Sequence, residues 1–423
     1  MAKLFTRVVA WVALLLGVLT LLFFVLVPPM ADKAMNPVVP HAPYEISDEA
    51  AALHETIPVA DLHSDTMLWN RNIHKRNDRG HVDLPRMREG GMFLQVFTAV
   101  TKSPAGQNYE ENDTDAADNI TTLALGQRWP MATWSSLEAR AVYQAQRLHR
   151  FAENDEQFSV ILTRGDLSDA YLRWQGRRGL ARSLAETGDD LDAIALSLIE
   201  EVESLPTTPG IVVGILGIEG SHPLEGDLAA IDRLYDEGYR LMGLQHFFDN
   251  ELGGSLHGTS ATGLSAFGRE AVARMNELSI VIDVAHSSPQ TVRDTLALSN
   301  QPLVVSHTGF NGHCESPRNI SDELMGEIVA AGGLIGVGFW EDVTCDASPA
   351  GIADAIIYGI EAFGADHIAL GSDFDGTVAT ELDASELAAI TQALMDRDVA
   401  DDDIRRVMGL NTVEFFLANL PTE

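Results

Sequence analysis

The stretch Ile280-Val281-Ile282-Asp283-Val284-Ala285-His286, with Leu303-Val304-Val305-Ser306-His307 after it, carries the fold of this chain. Each is a short β-branched run, the composition of a strand buried on both faces, and each ends on a histidine. Between them residues 289–299 follow a helical pattern, so the unit is strand, helix, parallel strand. Two successive strands that both end in an imidazole are hard to explain as core packing, because an apolar interior offers a polar ring no partner.

The same grammar recurs outward from this unit. Candidate strands lie at 59–63, 93–100, 159–163, 212–218, 240–246, 280–286, 303–307, 334–339 and 368–373, with amphipathic helical stretches at 229–237, 268–278, 289–299, 322–331 and 351–363. Nine candidates against the eight places of a (β/α)₈ barrel make one of them an extra or edge strand, either 93–100 or 159–163. Polar residues stand at strand end after strand end: His63 and Asp65, Glu219, His246, His286, His307, Asp373. A closed barrel gathers such ends at one mouth, whereas an open sheet spreads them along a line. No G-x-G-x-x-G follows the first strand and no G-x-x-x-x-G-K-[ST] occurs, so nucleotide binding has no support. Residues 101–130 are polar and read as a surface insertion.

Charge and the N-terminus bound the setting. The 62 Asp and Glu against 28 Lys and Arg give a formal charge of -34, a surface that repels nucleic acid. Residues 8–27 (VVAWVALLLGVLTLLFFVLV) carry no charge, and at about 1.5 Å per residue they span roughly 30 Å, a bilayer core. Lys3 and Arg7 precede the run, which predicts a cytoplasmic N-terminus and a body outside the cytoplasm, periplasmic or extracellular. A cleaved signal peptide is the rival, but its apolar region is usually shorter and ends in an A-x-A-like site. The expected layout is an anchor and transmembrane helix over 1–27, a Pro- and Ala-rich linker over 28–55, and an α/β barrel over 56–423. Of the two cysteines, Cys314 and Cys345, neither lies in a C-x-x-C pattern, and in an exported chain a pair is bridged more often than free.

The strand-end residues form a donor set. His63 and Asp65, two apart on a strand, face the same way and can grip one cation, although H-x-D alone is a weak signal. Glu219 ends a strongly apolar strand, where a carboxylate is costly unless paired or metal-bound. Shared between two cations, it leaves His63 with Asp65, and His286 with His307, to complete one site each. Nitrogen and oxygen ligands without sulfur suit zinc first, with manganese or cobalt as alternatives.

At this point the chain resembles the renal (membrane) dipeptidase family of dinuclear zinc peptidases, over about residues 58–416. The resemblance implies that His63, Asp65, Glu219, His286 and His307 hold two Zn²⁺, with Glu219 bridging. It implies that His246 contacts substrate, that Arg318 receives the substrate carboxylate, and that Asp373 in Gly371-Ser372-Asp373-Phe374-Asp375-Gly376 is catalytic. It also implies a Cys314–Cys345 disulfide. After His246 the chain departs from the family: Phe247-Phe248-Asp249-Asn250 replaces the Asn-x-x-Trp-Ala-Asp run of the animal enzymes, so their side-chain preference does not carry over.

The expected chemistry is hydrolysis of dipeptides with a free C-terminal carboxylate by metal-activated water. Asp373 would take the water's proton and pass it to the leaving amine, and His246 would donate to the oxyanion. Arg318 would grip the carboxylate with two prongs, as a guanidinium can and an ammonium cannot. His222 is expected either to support the metal shell or to cap a helix. Two other classes stay open: a related dinuclear amidohydrolase acting on N-acyl amino acids, lactones or phosphoesters, and a non-catalytic exported binding protein on the same barrel. A homodimer is likewise open.

Overall fold

The computed structural model describes residues 2–187 and 210–422. Among these, nine parallel strands are β1 (Val59–Ser64), β2 (Met92–Val100), β3 (Phe158–Val160), β4 (Val212–Glu219), β5 (Tyr239–Gly243), β6 (Val281–Asp283), β7 (Val304–Thr308), β8 (Leu334–Val337) and β9 (Ile368–Leu370). Eight of them close a ring in the order β1-β2-β4-β5-β6-β7-β8-β9, with β9 returning to β1 and β2 paired directly with β4. This is the (β/α)₈ barrel that the alternation implies. Of the two candidates for the extra strand, 93–100 belongs to the ring. The outlier is β3, which pairs only with the first residues of β4, on the edge that β5 takes up further along.

Helices enter as their caps dictate. Ser265, Ser288, Ser321 and Ser348 each stand just before a helix, Ala266–Glu277, Pro289–Leu298, Asp322–Ala330 and Pro349–Phe363, and accept a hydrogen bond from its first turn. Each hydroxyl satisfies an amide that the helix leaves unpaired. Proline opens two of the four, where its missing N–H costs nothing. The strands β1, β2, β4, β5 and β7 are buried at every position, as strands must be with a core inside and helices outside. Asp61 ties the mouth together: its carboxylate accepts from Gln95 on β2 and from the amide and hydroxyl of Ser372 after β9.

The N-terminus differs from expectation. A single helix, Ala2–Met35, runs through Pro28 and Pro29, and residues 4–35 form a segment long and apolar enough to cross a membrane. Where a bare linker is expected over 28–55, the structure has the last turns of this helix. A second helix, Asp48–Glu55, then sinks Ala50 and Leu53 into the core.

Candidate metal centre

The strand ends converge as the barrel requires. One oxygen of Glu219, at the end of β4, is faced by three imidazole nitrogens: Nε2 of His286 at 3.1 Å, of His307 at 3.3 Å and of His63 at 3.7 Å. The His286 and His307 nitrogens lie 3.0 Å apart, and Asp65 stands 3.6 Å from His63 Nε2. All five side chains are buried. His63, Asp65 and Glu219 form one cation-sized cluster, and Glu219 and His286 join His246 in another.

The chemistry of the donors fits cations. His63 and His307 both aim Nδ1 at the hydroxyl of Ser306, at 3.0 and 2.9 Å, and Ser306 donates its own proton to Asp283 at 2.7 Å. A hydroxyl that donates once can still accept twice, so both rings hold a proton on Nδ1 toward Ser306 and turn Nε2 inward, where a cation could take the lone pair in place of a second proton. Among the described residues His63 Nε2 has no hydrogen-bond partner, an orphan that a metal would satisfy. Burial opposes charge on His63, but Glu219, Asp65 and Asp373 outweigh it and hold its pKa up at about 10. The site pulls a positive charge into that position, which a cation supplies equally well.

Asp283 lies beneath this cluster, a position that the strand-end reading missed. Its carboxylate accepts from the amides of Ala285 and Ser306 as well as from the Ser306 hydroxyl. The signal was present in the opening stretch, as a lone acid inside an apolar strand.

Asp373 follows β9, with Oδ1 3.8 Å from His63 Nε2. Burial pushes its carboxyl pKa up, partly offset by His63. Its loop is strained: Asp373, Asp375 and Thr377 all hold left-handed backbones, at φ 58°, 66° and 67°, a conformation that costs a non-glycine residue of order 1 kcal/mol or more. Arg71 reaches this loop through a buried 2.6 Å ion pair with Asp375. Sequence reading left Arg71 out, since surface arginines are the rule in so acidic a chain.

Arg318 is fully buried and donates to the carbonyls of Ala285, just past β6, at 3.0 Å and of His307, near the end of β7, at 2.8 Å. His246 sets Nδ1 3.2 Å from the carbonyl of Lys102 and Nε2 3.4 Å from Glu219. Burial lowers its pKa to about 4. With the proton on Nδ1, neutral His246 offers Nε2 as an acceptor, so it donates to an oxyanion only when doubly protonated. His222 stacks on Phe248 at 4.5 Å, outside the ligand cluster. Cys314 and Cys345 are disulfide-bonded.

Glu219, His286, His307, Arg318 and Asp373 line one cavity of about 600 Å³. A profile of the membrane dipeptidase family (peptidase family M19) matches residues 47–418. The chain belongs to the membrane dipeptidase family. Among named relatives, dipeptidase aclJ of Aspergillus oryzae is 32% identical over 84% of this chain and 77% of its own length. Dipeptidase verJ of Clonostachys rogersoniana is 26% identical over 86% of this chain and 85% of its own. Solved structures share the fold. A Rhodobacter sphaeroides metallopeptidase, liganded with a phosphinate mimic of the dipeptide L-Ala-D-Ala, aligns at TM-score 0.62 with 23% identity, over 86% of this chain and 99% of that one. The probable dipeptidase PvdM of Pseudomonas aeruginosa aligns at TM-score 0.64 with 18% identity, over 88% and 97%. As a membrane dipeptidase, the chain is a metal-dependent hydrolase of peptide bonds in dipeptides.

Proposed function

We propose that the site holds two zinc ions, one on His63, Asp65 and Glu219 and one on Glu219, His286 and His307. The observation that carries this is the single Glu219 oxygen faced by three imidazole nitrogens, a geometry that serves a bridging carboxylate. Bound there, the cations would lower the pKa of water toward neutrality and polarise the scissile carbonyl.

The protein's own residues supply the rest. Asp373 takes the attacking water's proton and returns it to the leaving amine; its raised pKa favours holding a proton between the two transfers. His246, once protonated, donates through Nε2 to the oxyanion. Arg318 turns the N–H groups not used by Ala285 and His307 toward the substrate's terminal carboxylate. The N-terminal helix, through the turns before those that meet the barrel, anchors the chain with its N-terminus in the cytoplasm and the barrel outside.

Metal analysis of the purified full chain tests this directly. The expected content is close to two zinc per chain, with hydrolysis of both L,L- and L,D-dipeptides measured alongside. His63→Ala should lower metal content and activity together. Full activity in a rigorously metal-free preparation overturns the proposal.

A further inference from the structure

The N-terminal helix does more than precede the body. Phe23, Val27, Ala31 and Met35 line the same cavity as Glu219, Arg318 and Asp373. Their spacing, i, i+4, i+8 and i+12, places them along one face of the helix. Leu68, Trp69, Ile120 and Leu123 line the same cavity, and the helix packs on the helix Asn119–Gly126 that carries the last two, so this side of the cavity is apolar.

The helix is fastened where it meets the site. Asp32 pairs with Arg79 at 2.8 Å and with Arg71 at 3.4 Å, and Arg71 in turn holds Asp375 at 2.6 Å. Asn36 accepts from the amide of Thr377 at 2.9 Å, and Val39 donates to the carbonyl of Thr380 at 2.7 Å. The last turn of the helix and the segment after it therefore clamp the strained loop that carries Asp373.

The barrel's ring order says which end of a substrate meets this wall. Arg318 sits over the ends of β6 and β7. In the ring β1-β2-β4-β5-β6-β7-β8-β9, β6 lies opposite β1 and β7 opposite β2. Leu68 and Trp69 follow β1, Ile120 and Leu123 follow β2, and the metal ligands stand between the two sides. A dipeptide with its carboxylate on Arg318 and its scissile bond at the metal centre thus points its N-terminal side chain at the helix.

We infer that the N-terminal helix is one wall of the active site and that it selects dipeptides whose N-terminal residue carries a large apolar side chain. The inference rests on the dipeptidase reading and on Arg318 as the carboxylate receiver. It gives the helix a reason to be retained in the mature protein, since its removal would open the cavity and free the Asp373 loop.

The test uses the full chain in detergent micelles and measures kcat/KM for Leu-Gly, Gly-Leu and Gly-Gly. Wild type should prefer Leu-Gly to Gly-Gly by about tenfold or more, the scale on which apolar pockets discriminate. Ala31→Phe fills the wall and Val27→Thr makes it polar; each should cut the Leu-Gly to Gly-Gly ratio severalfold and leave the Gly-Leu to Gly-Gly ratio in place. Leu14→Thr, on the same helix but outside the cavity lining, should move neither ratio. Unchanged Leu-Gly preference in both wall variants, with wild-type metal content and melting temperature, overturns the inference while the dipeptidase reading stands. Failure of the wild type to hydrolyse any of the three overturns both.

Discussion

The substrate cavity has two walls of opposite character. One, at the ends of β4, β6 and β7, is built from Glu219, His286, His307 and Arg318, every one of them buried. The other, beyond β1 and β2, is built from Leu68, Trp69, Ile120 and the face of a helix that begins at residue 2. Burying charge is expensive unless something repays it, so the first wall announces itself in the sequence as function. Burying apolar groups is favourable anywhere, and the second wall announces nothing.

The polar wall and the loop facing it can be broken one group at a time. The largest effect falls on Asp373→Asn, which should retain both metals and lose about 10²–10⁴-fold in kcat, the usual worth of a positioned proton carrier. The neighbouring Asp375 is no substitute, because Arg71 and the amide of His81 already claim its carboxylate. An unchanged turnover number in a metal-replete Asp373→Asn protein would return this residue to a structural role.

Arg318→Lys comes next. Loss of a paired charge-assisted hydrogen bond is worth roughly 1.5–3 kcal/mol, about 10- to 100-fold in KM for substrates with a free carboxylate. C-terminally amidated dipeptides, already poor for the wild type, should lose much less. The same guanidinium bonds the carbonyls of Ala285 and His307, so a purely structural role is a real competitor. Equal losses on the two substrates would identify that role, and would remove the argument that orients the substrate across the cavity.

The contrast between the walls also explains what was legible. The barrel and the convergence of His63, Asp65, Glu219, His286 and His307 at its mouth follow from β-branched runs that end in polar residues. Asp283 and Ser306 lay in the same runs and were passed over, because their task is to orient other ligands and they sit one layer below the strand ends. The Asp32–Arg71–Asp375 chain was beyond reach: it joins three segments far apart in sequence, and each partner alone reads as ordinary surface charge. The N-terminal helix extends past the apolar run, through Pro28 and Pro29 to Met35. A charge-free run is fully explained by a bilayer, and that explanation left nothing to suggest that its last turns and the stretch to residue 55 pack on the body.

Ser306→Ala probes the layer beneath the polar wall. It removes the acceptor that fixes the proton on Nδ1 of His63 and His307, and loss of such a support typically costs 10- to 100-fold in metal affinity. The expected result is easier metal loss to a chelator, with kcat near wild type once zinc is in excess. Wild-type chelator resistance would show that Glu219 and packing orient both rings unaided.

The disulfide bears on how the polar wall is held, and its loss should act on stability more than on activity. Cys314 and Cys345 are 31 residues apart in sequence, and the bridge fastens the segment bearing Arg318 to the one bearing Trp340, both of which line the cavity. The Arg318 guanidinium carbon lies 5.8 Å from the centre of the Trp340 ring. Closing a loop of that length stabilises by roughly 3–4 kcal/mol in the chain-entropy model. Cys345→Ser should therefore lower the melting temperature by several degrees, whereas kcat/KM should fall only a few-fold, since Arg318 keeps its two backbone carbonyls and Asn319 still donates to Cys314 and Val343. Thiol counting on unreduced, denatured wild type should find none. A fall in activity as large as that of Arg318→Lys, in a protein still folded at the assay temperature, would mean that the bridge, rather than those carbonyls, sets where the carboxylate is received.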